Sequence, residues 1–345
     1  MGVSTAAAAD RPGPTLRSVL MQHDTIAYLL VPAIALLALL LIRSMPVWLT
    51  LTLSGLAMGM MLYVMASGLT LIFGLMDVLN LAHSSFVTVG AFLTATLMAK
   101  AHGLMPGDSL LADVGVLLVV AVLVMTATGL IGLVFERLFI KPAYGSHNKQ
   151  LLVTMGGLII MEQLVLVFWG AKEVSLSRPA SLQGSLVVGN FVFEKYRLVA
   201  VVSGLVVFGV MRLVLRRTKF GLLVRAGVEN PEMVRAFGYH ARRISVIVFA
   251  VGSALAGLGG MLWGLYLELL NSQVGMDVLV LIFSVIIIGG LGSIEGCLIG
   301  ALLIGLTNVY VSYALPKGAL VSSVVVMAIV LLWRNRGLLP VTRSP

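Results

Sequence analysis

Polar side chains that could bind or relay a solute interrupt apolar sequence at Asp77, Asn80, His83 and Ser84. Carboxylate, amide, imidazole and hydroxyl groups are costly against lipid, so such groups face protein or a watery cavity. The segment contains no Lys or Arg, which favours a re-entrant or pore-edge segment. The alternative is an ordinary turn in which Asn80 or Ser84 caps a helix. A metal site at His83 is not indicated, because no second ligand stands at helical spacing from it.

A second interruption is rich in glycine and contains Gly289, Gly290, Gly292 and Gly296. Glycine permits positive φ angles and the close approach of helices, as the broken helices of transporters require. A phosphate-binding loop would need the pattern GxxxxGK[ST], which the chain lacks. We therefore expect a break between helices here and no nucleotide hydrolysis by this chain.

Glu162 is an acidic residue near the middle of an apolar run. A carboxylate inside a membrane faces the interior of a bundle, a partner or a water path, so it could take part in proton coupling. The alternative is a hydrogen bond from one helix to another.

The composition places these residues in a membrane. The chain has 345 residues, of which 59% are hydrophobic and 11% charged, and its mean hydropathy is +1.07. A helical span needs about 20 apolar residues. We expect an all-α, polytopic transmembrane bundle of about 8–10 spans with re-entrant or broken segments. Cys297 is the single cysteine of the chain, so a disulfide within it is excluded.

The predicted domains are a cytoplasmic tail over residues 1–24, a transmembrane domain over 25–333 and a second cytoplasmic tail over 334–345. The candidate spans are Thr25–Ile42, Trp48–Leu75, Phe86–Met98, Leu111–Val134, Leu151–Trp169, Leu198–Leu215, Ile244–Leu265, Val278–Ile288, Gly292–Tyr313 and Leu320–Trp333.

Basic residues predict the orientation, because Lys and Arg gather in cytoplasmic loops. With a cytoplasmic amino terminus, 16 of the 23 Lys and Arg residues fall on that side. They are Arg11, Arg17, Arg137, Lys141, Lys149, Arg212, Arg216, Arg217, Lys219, Arg225, Arg235, Arg242, Arg243, Arg334, Arg336 and Arg343. Both termini are therefore expected in the cytoplasm, and the net charge of +9 needs no nucleic-acid partner.

A basic loop over residues 216–243 contains a capped helix signal. Asn230 suits the N-cap, Pro231 the first helical position and Gly238 the C-terminal stop. The apolar residues of this short helix need a groove on another protein. The alternative is a helix that lies on the lipid headgroups.

Three elements resemble the permease subunits of branched-chain amino-acid ABC transporters, and the chain looks more similar to the first, shorter permease of the pair. Residues 80–83 (Asn-Leu-Ala-His) are similar to the family's Asn-Phe-Ala-His, and residues 226–238 to the segment that docks on the ATPase. Residues 289–296 are similar to the family's Gly-Gly-x-Gly-Ser-x-x-Gly, and the likeness runs from about Leu53 to the end. The chain departs from the family at Ser84 and Ser85, where Gly and an acidic residue are typical.

The resemblance implies a permease subunit of an ABC importer in the bacterial inner membrane. Its partners would be a second homologous permease, two cytoplasmic ATPase subunits that bind ATP, and an external binding protein; the chain itself would be no enzyme and need no cofactor. The solute would be a branched-chain amino acid, another amino acid, urea or an amide. The residues assigned to the translocation pathway are Asp77, Asn80, His83, Ser84, Glu162, Gly289, Gly290, Gly292 and Gly296. Those assigned to the ATPase-docking helix are Ala226, Glu229, Glu232, Met233, Val234, Phe237 and Gly238.

The sequence leaves two other classes of function as alternatives. A secondary transporter driven by protons or sodium would use Glu162, Asp77 and His83 as coupling groups. A membrane-embedded enzyme is disfavoured, because the sequence shows no paired carboxylates and no nucleophile with its base.

Overall fold

The computed structural model describes residues 23–101, 109–189, 191–229 and 241–340. The helices are α1 (His23–Ile42), α2 (Met45–Met76), α3 (His83–Ala101), α4 (Leu110–Phe135), α5 (His147–Trp169), α6 (Lys195–Arg217), α7 (Lys219–Glu229), α8 (Ala241–Leu267), α9 (Val274–Gly289), α10 (Ile294–Ala314) and α11 (Ala319–Trp333). The strands are β1 (Val174–Ser175), β2 (Ser185–Val188), β3 (Phe191–Glu194) and β4 (Leu269–Leu270).

The expected polytopic helical bundle is confirmed. In the described residues, seven helices are long and apolar enough to cross a membrane: α2, α3, α4 with the turn that follows it, α5, α6, α8 and α10. Three shorter apolar helices, α1, α9 and α11, complete the set. A single turn of π-helix (Glu136–Ile140) and a 3₁₀ turn (Lys141–Ala143) follow α4.

Helices α2 and α8 form the centre of the bundle. Helix α2 packs against α6, α8 and α10, while α8 also packs against α3 and α4. The backbones of Gly68 and Gly252 touch where α2 and α8 cross, and those of Gly90 and Gly257 touch where α3 and α8 cross. Helices within a membrane associate closely where small residues let their backbones approach, so these glycines set the central packing.

The bundle has two ends that differ in charge. The basic end is the one at which α2 ends and α8 begins. Arg137, Lys141 and Arg243 line one pocket there, and Arg212 and Arg216 pair with a glutamate of α10 at the same end. The opposite end carries two small antiparallel sheets, in which β1 pairs with β4 and β2 with β3.

The helices before and after the loop that carries β1, β2 and β3 follow the same order in opposite directions. Helices α1–α5 and then α6 with α8–α11 each contain a long central helix followed by a helix that begins inside the bundle. Helix α2 runs toward the basic end and α8 runs away from it, as their contacts at Met65 with Gly259 and at Gly68 with Gly252 require. This arrangement is similar to the inverted repeat of many transporters, in which discontinuous helices meet near the midplane.

Candidate functional site

The polar segment after α2 turns back into the bundle. Helix α2 ends at Asp77, which has the left-handed φ of 53°. The ring Nε2 of His83, at the start of α3, lies 2.9 Å from the carbonyl oxygen of Met65. Met65 precedes the end of α2 by eleven residues, which is about 16 Å along a helix. Residues 77–82 therefore climb from the basic end to near the middle of the bundle, as the re-entrant interpretation predicts.

Three of the polar residues predicted for the pathway are buried inside the chain. Asn80, His83 and Ser84 are each 0% exposed. Both amide atoms of Asn80 and the Nδ1 of His83 have no hydrogen-bond partner in the described part of the chain. Buried polar groups without partners are costly, so these atoms mark a place where water, a solute or a second conformation is expected.

Asp77 lies apart from that buried group. Its side chain is 44% exposed at the basic end, and a carboxylate oxygen lies 3.8 Å from Nε2 of His147 on α5. The carbonyl of Leu79, two residues after Asp77, accepts a hydrogen bond from the hydroxyl of Thr154 in α5 at 3.5 Å. The re-entrant segment is thus flanked by α5 along its length.

A matching discontinuity, which sequence reasoning missed, precedes α9. The backbone N–H of Gly275 donates to the hydroxyl of Thr88 at 3.0 Å, and its Cα lies against the carbonyl of Ser84. Helix α9 therefore begins at the level of the first turns of α3, inside the bundle, and residues 271–273 descend to it from the opposite end. At the beginning of this segment, the side-chain oxygen of Asn271 accepts a hydrogen bond from the backbone N–H of Gln273 at 2.9 Å. The short length of α9 and the polar residues 271–273 were the available signals.

The glycine-rich segment lies at an end of the bundle. Residues 290–293 form a tight turn between α9 and α10, with φ angles of 97° at Gly290 and 81° at Gly292. Gly292 packs against Gly74, near the end of α2, and Ser293 caps α10 by accepting from the N–H of Gly296 at 3.1 Å. The segment is thus a turn at the basic end, and the expected break inside the membrane is found before α9 instead. The physical reason is that Gly289 and Gly296 press two antiparallel helices together where the chain reverses.

Glu162 lies on α5, at the edge of the face that packs against the rest of the chain. The buried face of α5 contains Leu158, Met161 and Val165, and Glu162 adjoins it, half-buried. No hydrogen bond or ion pair joins its carboxylate to another residue in the described ranges. The bond between helices that was the alternative interpretation is not formed within the described chain.

Of the basic loop over residues 216–243, residues 216–229 and 241–243 are described. Ala226 and Glu229 belong to α7, a helix that the sequence analysis did not expect and that packs against α2, α6 and α8. Gly227 touches the side chain of Leu75 at the end of α2. The remaining predicted docking residues, Glu232, Met233, Val234, Phe237 and Gly238, lie outside the described residues, so that helix stays a prediction.

Comparison with known proteins identifies the family. Residues 51–333 match the family described as "Branched-chain amino acid transport system / permease component". The chain belongs to this family. The permease is 28% identical to the high-affinity branched-chain amino acid transport system permease protein BraD of Pseudomonas aeruginosa, over 74% of this chain and 84% of that protein.

Two further relatives come from the archaeon Methanocaldococcus jannaschii. The permease is 31% identical to its probable branched-chain amino acid transport permease protein LivH, over 74% of this chain and 79% of LivH. It is 26% identical to the probable permease protein LivM of the same organism, over 62% of this chain and 61% of LivM. No solved structure matches the permease.

These matches confirm the resemblance drawn from the three sequence elements. The permease is a multi-pass membrane protein and a permease subunit of an ABC importer. The family boundary at residue 51 agrees with the expected start of the likeness near Leu53. The residues of the pathway and of the docking helix remain predictions.

Proposed function

We propose that the permease carries a branched-chain amino acid, or a related small polar solute, from an external binding protein into the cell. It would pair with a second, homologous permease and with two ATPases that bind the nucleotide, and it would hold no nucleotide site or cofactor itself. The names of BraD and LivH support the solute class, and the likeness to both LivH and LivM supports a pair of related permeases.

The proposed membrane is the bacterial inner membrane, with the basic end and both termini in the cytoplasm. Positive residues concentrate at this end in the described chain, including Arg212, Arg216, Arg217 and Lys219 around the start of α7. Lys and Arg are retained on the cytoplasmic side of short loops, which supports this orientation.

The contact of α7 with α2 supports a mechanical route for the ATPase stroke. Gly227 rests on Leu75, and Leu75 stands two residues before Asp77, where the re-entrant segment begins. An ATPase that moves the docking loop would therefore displace the end of α2 and the segment that leads to His83. Since a packed core passes on displacement of its parts, a small movement at α7 can reach the middle of the bundle.

Glu162 supports placing the solute path beside α5. A carboxylate within a span that has no partner in the described part of its own chain must meet protein or water elsewhere, because lipid would not stabilise its charge. We assign that face to the second permease, with the path between the two subunits. Displacement of α5 from Leu79, to which it is bound through Thr154, would open Asn80 toward this path.

The test begins with purification of the full-length permease from its native host and identification of its companions by mass spectrometry. The proposal expects a second permease and ATPases to co-purify, and the reconstituted complex to take up radiolabelled leucine or isoleucine only with ATP and the binding protein. A solitary chain that transports in liposomes under a pH gradient without nucleotide would overturn it.

Two substitutions separate the parts of the proposal. Phe237→Asp should release the ATPases. Leu186→Asp should not, because Leu186 is an exposed apolar residue of β2 at the opposite end of the bundle. Glu162→Gln should leave uptake dependent on ATP, whereas a proton-coupled transporter would lose uptake.

A further inference from the structure

An apolar groove runs along the membrane-facing side of the bundle. It lies between α4 and α6, has a volume of about 900 Å³ and has α8 as its floor. Its walls include the exposed side chains of Leu118 and Val122 on α4 and of Val206 and Val210 on α6. The groove is therefore open to whatever surrounds the chain in the membrane.

The groove does not suit a polar solute. Its polar lining residues are Tyr196 and Ser203, and the Tyr196 hydroxyl already donates to the carbonyl of Leu262 at 2.6 Å. An amino acid placed there would lose its hydration without replacement hydrogen bonds. Hydrocarbon is the matching occupant for such a surface.

At the basic end the groove meets a second, charged pocket of about 460 Å³. Ile247 lines both cavities, so the two are neighbours along α8. Arg137, Lys141 and Arg243 line the charged pocket together with Glu136. This end of the bundle lies where the lipid headgroups are expected.

The residues around this pocket carry excess positive charge, while its wall is mostly apolar. Arg137, Lys141 and Arg243 are exposed, and none forms an ion pair or side-chain hydrogen bond with another residue in the described ranges. Glu136 is 1% exposed and accepts a hydrogen bond from the Tyr144 hydroxyl at 2.6 Å. Burial, followed by the bond to Glu136, raises the pKa of Tyr144, so the phenol stays protonated and keeps donating. Three exposed cations thus outnumber one buried carboxylate.

We propose that this composite site binds an anionic phospholipid, with its phosphate between Arg137, Lys141 and Arg243 and its acyl chains in the adjoining part of the groove. The floor of the groove runs along α8 from Ile247 to Leu265, about 27 Å, so the half that adjoins the basic end matches one leaflet of the roughly 30 Å hydrocarbon core. Basic pockets between spans on the cytoplasmic side are places where anionic headgroups bind. A transmembrane helix of a partner would fill the groove but would leave these cations without counter-charge.

Native mass spectrometry of the full-length permease, with the subunits that co-purify, tests the proposal. Phosphatidylglycerol is added in one series and phosphatidylcholine in another, and the retained lipid is counted at each concentration. We expect preferential retention of phosphatidylglycerol. The double variant Arg137→Gln/Arg243→Gln should weaken it about 25-fold, at about fivefold for each cation.

Matched variants distinguish the pocket from the general charge of this end. The double variant Lys149→Gln/Arg336→Gln removes two exposed cations of the basic end outside the pocket and should leave retention unchanged. Val206→Trp should fill the groove and lower retention of both lipids. Equal retention of the two lipids by the unaltered protein, or an equal loss in the control, would overturn the proposal. The proposal would also be overturned if the Arg137→Gln/Arg243→Gln variant kept its lipid but lost the ATPases, because the two cations would then bind protein.

Discussion

Residues 77–82 and residues 290–293 both interrupt apolar sequence, yet they lie at different depths in the bundle. The first segment carries polar side chains and rises to the level of Met65, where His83 contacts the α2 backbone. The second carries glycines and closes a turn at the basic end against Gly74. The internal counterpart of residues 77–82 is instead the segment over residues 271–273, which leads to α9. An interruption in hydropathy therefore predicts where the chain changes direction, but it does not predict how deep in the bundle that change occurs.

The two kinds of interruption also differ in what stabilises them. The glycine turn depends on backbones in contact, while the internal starts of α3 and α9 depend on specific hydrogen bonds and on anchors at the opposite end. Substitutions at the glycine turn and at the internal helix starts test this difference.

The largest effect is expected for Gly296→Leu. A side chain at this position would collide with the backbone of Gly289, and neither backbone can move without parting α9 from α10. We expect the free energy of unfolding in detergent to fall by more than about 3 kcal/mol, with loss of monodisperse protein on size exclusion. Gly156→Leu on α5 is the control, because its new side chain would point into open space. Equal stability of the two variants would show that backbone contact does not stabilise the turn.

Arg178→Met should have the next largest effect, because Arg178 holds the end of α8 from which the chain continues to α9. Arg178 is 12% exposed, pairs with Glu268 at 2.9 Å and donates to the carbonyls of Leu265 and Tyr266 at the end of α8. Glu268, whose side chain is 52% exposed, stays solvated without Arg178, but the carbonyls of Leu265 and Tyr266 lose their charged donor, which costs about 2–3 kcal/mol. Urea unfolding in mixed micelles measures the loss. Lys172→Met, at an exposed cation outside any described ion pair, should change nothing, and a similar loss there would contradict the assignment.

Thr88→Val tests the contact between the two internal helix starts. The substitution keeps the shape of the side chain but removes the acceptor for the N–H of Gly275, which then has no buried partner. We expect a loss of about 1–2 kcal/mol in the free energy of unfolding and faster amide exchange at Gly275. The control is Thr126→Val, whose hydroxyl bonds the carbonyl of Val122 in its own helix on the exposed face. If both variants lose the same stability, the contact between α3 and α9 does not stabilise the internal starts.

The smallest effect is expected for Glu295→Gln, beside the glycine turn. Glu295 is 31% exposed and pairs with Arg212 at 3.6 Å and Arg216 at 2.5 Å. Ion pairs open to solvent contribute less than about 1 kcal/mol and weaken with salt. The difference from the unaltered protein should therefore disappear in unfolding curves at about 1 M salt. A loss as large as that of Arg178→Met would mean that the basic end is closed more tightly than its exposure indicates.

Sequence was sufficient for the membrane class, for most of the helices and for the family, but not for α7 or for the internal start of α9. Apolar runs long enough to span hydrocarbon can satisfy their backbone groups only as helices, so composition and length suffice for this step. The motif at residues 80–83 was also correctly expected to turn back into the bundle, because its polar side chains could not face lipid.

Tertiary structure alone decided depth and pairing. Nothing local in residues 289–296 distinguishes a break within the membrane from a turn at its end, because both need glycine for positive φ and close packing. The internal start of α9 depends on Thr88, which is 187 residues away from Gly275 in the chain. The burial of Asn80 and the half-burial of Glu162 without a partner in the described residues likewise follow from which helices lie beside them, and a linear pattern of residue types does not contain that information.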